Sequence, residues 1–338
     1  MTTLYVTTEG ALVRATDERL TITKGHEKLA EMPLHKLDAV VVFDAASVTP
    51  AAMRILAERR IDLCFTDYNG RYFGRLQPVD SPHVRLRKRQ YLAQDDPLLR
   101  LKLARGFVLG KLYNQRSVLL RARRAENVSE QREKRITEAI EQLRHASRQA
   151  KMAESLDSLR GCEGSGAAAY FQVFEELLLT QAFSFRTRTR NPPTDPVNAM
   201  LSFGYSMLAK DAIAAASLVG LDPYAGYLHG DRYNQPSLGL DLMEEFRPLI
   251  VDATVLALIN RKQVTPEGFQ TQISRAVVMD TETRKIFLRG YEERKRTELR
   301  HPHLQQTTTY IRSLELQARI VVKVLLGELD EYVPFIAK

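Results

Sequence analysis

The segment Gln77-Pro78-Val79-Asp80-Ser81-Pro82-His83 divides the chain into two parts of different texture, because two prolines among polar residues with no apolar period can continue neither a helix nor a sheet. Before it, short runs rich in β-branched residues read as strands at 4–7, 11–14, 20–23, 39–43, 62–66 and, after the Tyr68-Asn69-Gly70 turn, 72–76. One helix, 50–60, intervenes, with Pro50 in its first turn. After the divide, apolar residues recur at helical spacing, and helices are expected near 84–93, 97–125, 129–151, 163–185, 195–218, 237–259, 265–274, 281–299 and 304–327. The expected fold class is α+β with two domains: a small β-rich N-terminal domain (1–76), a linker (77–83) and a larger all-α C-terminal domain (84–338).

Charge is distributed unevenly. The formal net charge is +8, yet residues 1–80 are close to neutral, whereas from Arg85 to Arg148 17 Lys or Arg stand against 7 Asp or Glu. A second basic cluster runs from Arg284 to Arg300. Such a surplus suits a polyphosphate, with binding that weakens as salt rises. Neither cluster has the large apolar face of a membrane-inserting helix, and the longest apolar run, Ala212 to Leu221, is too short to span a bilayer. Two cysteines, Cys64 and Cys162, without metal-type spacing, fit a reduced compartment, so a cytoplasmic protein with no membrane association is expected.

The chemistry-bearing residues cluster late. His229 follows Tyr227-Leu228, and Asp241, Glu244 and Glu245 stand at i, i+3 and i+4 on a short helix bracketed by Pro236 and Pro248, so the acids are expected to share a face. Like charges so placed call for a cation, and an imidazole with converging carboxylates is a donor set for a divalent metal acting on a phosphodiester. Upstream, Glu163 is flanked by Gly161, Gly164 and Gly166, which leave room for close approach at what reads as a crowded helix start. Each residue alone has a plainer reading: His229 as a loop or core histidine, Glu163 as a helix N-terminal acid, Glu244 and Glu245 as a solvated face. Spacing does not rank Asp241 against Glu244.

Taken together, Arg160-Gly-Cys-Glu163-Gly164, the stretch from Arg190-Asn-Pro-Pro-Thr-Asp195 to Gly204-Tyr205, the His229-Gly230 pair, Asp241-Leu-Met-Glu-Glu-Phe-Arg-Pro248 and Leu288-Arg289-Gly-Tyr-Glu-Glu-Arg294-Lys-Arg296 resemble the CRISPR-associated endonuclease/integrase family of spacer acquisition. The likeness is specific over about residues 80–338 and general in character before that. The resemblance implies that Glu163, His229 and Glu244 hold Mg²⁺ or Mn²⁺, with Asp241 as a nearby catalytic-site carboxylate. It implies insertion of foreign DNA fragments into a CRISPR array by attack of a DNA 3′-hydroxyl. It further implies homodimers formed through the β-rich domain and a heterohexamer with the small companion Cas protein, the Cas-two family. Double-stranded DNA, both the prespacer and the leader-repeat, is the implied partner.

Arg85, Arg87, Lys88, Arg188, Arg190, Arg289, Arg294 and Arg296 are the candidate backbone contacts, Arg186-Thr-Arg188-Thr-Arg190 because alternation on an extended segment can aim guanidiniums at phosphates. His301-Pro-His303 lacks a third ligand at a recognisable spacing and reads as structural or DNA-contacting, and Tyr170, Tyr205 and Tyr291 read as core rather than as nucleophiles. Two other readings stay open: a related metal-dependent transposase or branched-DNA nuclease, and a non-enzymatic DNA-binding scaffold whose acids only form salt bridges.

Overall fold

A computed structural model describes residues 2–44, 46–76, 83–124, 129–230 and 232–337. The chain divides into two compact units at 81/82; the linker expected at 77–83 lies outside the described residues except for His83.

Among the described residues, the first unit holds two four-stranded sheets, one α-helix and a 3-10 turn at Leu34–Lys36. The strands are β1 (Thr3–Val6), β2 (Leu12–Thr16), β3 (Arg19–Lys24), β4 (Glu27–Pro33), β5 (Ala39–Phe43), β6 (Ser47–Val48), β7 (Asp62–Thr66) and β8 (Tyr72–Leu76), ordered β1-β5-β7-β8 and β4-β3-β2-β6. In the first sheet β5 lies parallel to β1 and β7, and Val40 to Phe43 are all buried, as a strand covered on both faces requires. In the second, β3 alternates, burying Leu20 and Ile22. Helix α1 (Pro50–Glu58) starts at Thr49, whose hydroxyl accepts the Ala52 amide at 3.3 Å, and packs Ala52 and Leu56 into a core with Val13, Leu20, Val40 and Leu63. The sequence pattern misses β4 because Glu27, Lys28 and Glu31 make it read as loop; it is an exposed edge strand, where charge blocks unwanted pairing.

The second unit is mostly helical: α2 (Val84–Asp95), α3 (Pro97–Arg123), α4 (Glu130–Met152), α5 (Leu156–Gln172), α6 (Pro196–Leu218), α7 (Ser237–Met243), α8 (Ala253–Asn260), α9 (Thr281–Lys295) and α10 (Tyr310–Leu326). Side-chain caps fix several starts: Asp96 accepts the Leu98 and Leu99 amides at 2.9 and 3.1 Å, Ser155 the Ser158 amide at 3.2 Å, and Asp195 the Asn198 amide at 2.8 Å. A short hairpin, β9 (Phe269–Thr271) with β10 (Val277–Met279), replaces the helix expected at 265–274, and a second, β11 (Glu298–Arg300) with β12 (Thr307–Thr309), takes the end of the helix expected at 281–299 and the start of that expected at 304–327. The single helix expected at 237–259 is broken. After α7, residues 244–246 form a turn and Arg247–Asp252 a π-helical segment leading into α8.

Helix α3 is buried on several sides and packs against α4 and α5. Gly166 on α5 sits so close to Leu112 on α3 that a Cβ there would overlap the leucine side chain. This close approach brings Glu163, one turn earlier on α5, beside Lys111, the residue preceding Leu112. Among the described residues, no helix is long and apolar enough to cross a membrane.

Candidate metal centre

The loop that carries His229 is pinned from three directions. Asp241, fully buried on α7, accepts the backbone amides of Tyr227 at 2.6 Å and Leu228 at 3.0 Å through Oδ2, and that of His229 at 3.0 Å through Oδ1. On α5, the Arg160 guanidinium donates to the Leu228 carbonyl at 2.8 and 3.1 Å. Ser237 Oγ donates to the Gly230 carbonyl at 3.0 Å. A Cβ at Gly226 would stand 2.6 Å from the backbone of Ser237, so only glycine lets the loop lie this close to α7.

Asp241 Oδ1 also stands 2.7 Å from His229 Nδ1, which leaves Nε2 directed toward Glu244, 3.9 Å from its Oε1. Burial alone would lower the His229 pKa, but the hydrogen bond and charge of Asp241, then the charge of Glu244, raise it above the ordinary value. Glu244 is buried; desolvation would raise its pKa, yet Arg247, Lys111 and His229 outweigh that and hold it at about 2. Arg247 Nε lies 3.2 Å from Glu244 Oε1, and its guanidinium stacks 4.6 Å over the Tyr205 ring. Tyr205 donates at 2.6 Å to Asp252, whose carboxyl is pushed up to about 6 by burial against the pull of the tyrosine hydroxyls and arginines.

Lys111 completes the cluster: its ammonium contacts Glu163 Oε1 and stands 2.7 Å from Glu244 Oε2. Glu163, His229, Glu244, Lys111 and Arg247 thus line one cavity of about 590 Å³, with Arg160, Arg190 and Arg232 on its walls. Among the described residues, no three His, Cys, Asp or Glu side chains stand at metal-binding separations. The reason is visible, since Lys111 fills the space between the two carboxylates. The donor chemistry nevertheless fits a hard divalent ion: two carboxylates, an imidazole oriented through its other nitrogen, and a buried Glu244 Oε2 that has an ion-pair contact but no directed hydrogen bond.

Several expectations change with these positions. Glu163 lies in the interior of α5, not at a helix start, because Ser155 begins that helix two turns earlier. Gly161 and Gly164 border open space beside Glu163, while Gly166 alone serves the close packing of helices. Glu245 does not share the face of Asp241 and Glu244: it points into the core, where Tyr332 Oη at 2.5 Å, the Phe335 amide at 2.6 Å and Gln317 at 3.2 Å donate to it, and burial pushes its carboxyl up to about 8. The break after α7 takes Glu245 off the face it would otherwise share with Asp241, four residues earlier.

Of the candidate DNA contacts, Arg190 lines the cavity. Arg188 is engaged inside the chain, donating to Asn198 at 2.8 Å and Ser202 at 3.0 Å, and Arg294 donates to the Leu249 carbonyl at 2.6 Å while stacking on Tyr310. Arg87 donates to the Gly220 carbonyl at 3.3 Å. Arg85, Lys88, Arg289 and Arg296 are exposed and do not line the cavity. His301 is buried, its Nδ1 accepting the His303 and Leu304 amides at 3.3 and 3.2 Å, an arrangement that shapes a turn. Sequence reasoning passed over Lys111, although a lysine inside the apolar run Phe107-Val-Leu-Gly-Lys111-Leu112 is a signal that a buried anion awaits it.

Comparison with known proteins places this arrangement. The family model described as "CRISPR associated protein Cas1" matches residues 4–293. "CRISPR-associated endonuclease Cas1 2" of Rhodospirillum rubrum is 40% identical, covering 100% of this chain and 99% of its own length. "CRISPR-associated endonuclease Cas1" of Leptospira interrogans is 44% identical over 75% of this chain and 100% of its own length. Among solved structures, a casposase bound to integration product superposes with a TM-score of 0.85 at 21% identity, covering 100% of this chain and 95% of that one. A Cas1 protein from Thermotoga maritima gives 0.81 at 23%, covering 97% of each. At these identities the two structures speak for the fold. The match over most of the chain and the full-length relatives establish that this chain belongs to the CRISPR-associated Cas1 family.

Proposed function

We propose that the chain is a metal-dependent DNA endonuclease and integrase that inserts foreign DNA fragments into a CRISPR array. Relatives of full length are named CRISPR-associated endonucleases. The observation that carries the reading is the single cavity where Glu163, His229 and Glu244 meet under arginine-lined walls.

Glu163, His229 and Glu244 would hold Mg²⁺ or Mn²⁺, which when bound supplies Lewis-acid stabilisation of the charge developing on the scissile phosphate. Asp241 keeps the His229 ring turned so that Nε2 faces the donors, and it fixes the backbone that carries the ring. Arg160, Arg190 and Arg232 would hold phosphates along the cavity walls. The open space beside Gly161 and Gly164 gives a duplex access to Glu163. The oxygen of an incoming DNA 3′-hydroxyl forms a bond to phosphorus as the bond to the departing 3′-oxygen breaks; the attacking hydroxyl gives up its proton and the departing oxygen takes one up, so it leaves as a free 3′-hydroxyl. One phosphodiester replaces another, and the same step run backward excises the insert. Water in place of the hydroxyl gives hydrolysis.

Joining of a 3′-hydroxyl duplex to a supercoiled CRISPR plasmid, with Mn²⁺, Mg²⁺ or chelator, tests the reading. Insertion at repeat borders, lost in Glu163→Gln and His229→Ala while DNA affinity persists, is expected; undiminished joining in those variants would sink it. A solved neighbour is a Cas6-RT-Cas1–Cas2 complex, and we extend the proposal to a homodimer joined through the β-rich unit, bridged by a Cas-two family protein into a heterohexamer acting in the cytoplasm. Adding that companion protein should raise joining efficiency.

A further inference from the structure

Lys111 belongs to none of the sequence motifs, yet it is the residue that sets the spacing of the site. It is 5% exposed, and α3 surrounds it with buried Phe107, Val108 and Leu112. An ammonium so placed costs several kcal/mol of desolvation unless it is paired. Its partners are Glu163 and Glu244, the two carboxylates proposed to hold the divalent ion. An ion shared by those carboxylates and His229 would lie next to the ammonium, and two cations held that close beside the buried Glu244 repel.

The second cation of the cluster is fixed. Arg247 is stacked on Tyr205, which is itself bonded to Asp252. Lys111, on a flexible four-carbon stem, itself borders the cavity of about 590 Å³ and has space into which to swing. Relief of the repulsion therefore falls to Lys111.

We infer that Lys111 is an internal counter-cation that competes with the divalent ion for Glu163 and Glu244, holding the carboxylates in the metal-free chain and withdrawing into the cavity as the ion loads. This rests on the metal-centre reading above. A phosphate in the cavity offers the released ammonium a new partner, so DNA and metal strengthen each other's binding. The site is guarded against metal loading until DNA is present.

Manganese binding to the full chain, followed by the electron paramagnetic resonance of free Mn²⁺, tests this with and without a short DNA duplex. Lys111→Met should bind Mn²⁺ at least about tenfold more tightly than the wild type in the absence of DNA, and the gain on adding DNA should shrink. Lys111→Gln, which keeps a polar head, carries the same expectation should the methionine variant fold poorly. Glu163→Gln is the control. If Glu163-dependent binding exists but is unchanged or weaker in the Lys111 variants, or if wild-type affinity does not respond to DNA, the counter-cation role is overturned and the metal centre stands. If no chain shows Mn²⁺ binding that Glu163→Gln removes, the metal centre itself fails and the inference goes with it.

Discussion

Asp241 holds His229 twice, through the ring at 2.7 Å and through the backbone amide at 3.0 Å, so one carboxylate fixes both the position and the rotation of the imidazole. Asp241→Asn presents an amide NH₂ to groups that are already donors. Folding stability should fall by about 2–4 kcal/mol, because buried donors are left unpaired, and Mn²⁺ affinity should drop about 10- to 100-fold through loss of ring orientation. Urea unfolding and calorimetric metal titration read the two effects separately.

The raised pKa of His229 makes metal binding depend on pH. A protonated imidazole is no ligand, so Mn²⁺ affinity should climb as pH rises through the shifted value, above the ordinary 6.5. In the metal-free chain the sign for stability is opposite: the bonus from charged His229 beside Asp241 is full below 6.5 and is lost as pH rises through the folded value. Metal titrations between about pH 5.5 and 8.5 should show the first trend and urea unfolding of the metal-free chain the second, and an affinity that is flat across this range would remove His229 from the ligand set.

Asp252 carries a second pH dependence. Its carboxyl is pushed from 3.8 to about 6 in the folded chain, so the native state favours the protonated form. The associated stability is complete below 3.8 and is lost as pH rises through about 6, a change on the order of 3 kcal/mol. Glu245, pushed up to about 8, adds a loss of the same sign at higher pH. Unfolding free energy should decline from pH 5 to pH 7.5, and Asp252→Asn should flatten that decline.

The three glycines around Glu163 should separate in their effects. Gly166→Ala drives a methyl into Leu112 and should cost about 1–3 kcal/mol, with α5 pushed from α3 and joining reduced. Gly161→Ala and Gly164→Ala meet open space on a helix and should stabilise by about 0.5–1 kcal/mol. Thermal unfolding of the three variants side by side decides the matter; equal destabilisation by all three would contradict the packing described.

The strand-rich and helical halves were readable because β-branched alternation and helical periods change at one proline-containing segment. Motif spacing likewise drew His229, Asp241, Glu244 and Glu163 to notice. What the sequence hid has physical causes. Lys111 is one of seven basic residues on α3, set apart only by its apolar neighbours Phe107, Val108 and Leu112, and its partners lie 52 and 133 residues away, a pairing created only by helix packing. Glu245 reads as a neighbour of Glu244, yet a broken helix turns it toward Tyr332 and Phe335. Strand β4 is masked by its charges, and the hairpins after α8 and α9 are three-residue strands too short to show a period.

The π-helical segment Arg247–Asp252 gives this stretch an angular phase that an ordinary helix lacks. At the common pitch of about 100° per residue, the five steps from Arg247 to Asp252 would turn roughly 90° further than the wider π turns do, with no change in sequence. Asp252 would swing away from Tyr205, and Arg247 would lose its stacked support, although every functional side chain would still be present in the chain. Pitch, more than composition, keeps this corner of the molecule in register.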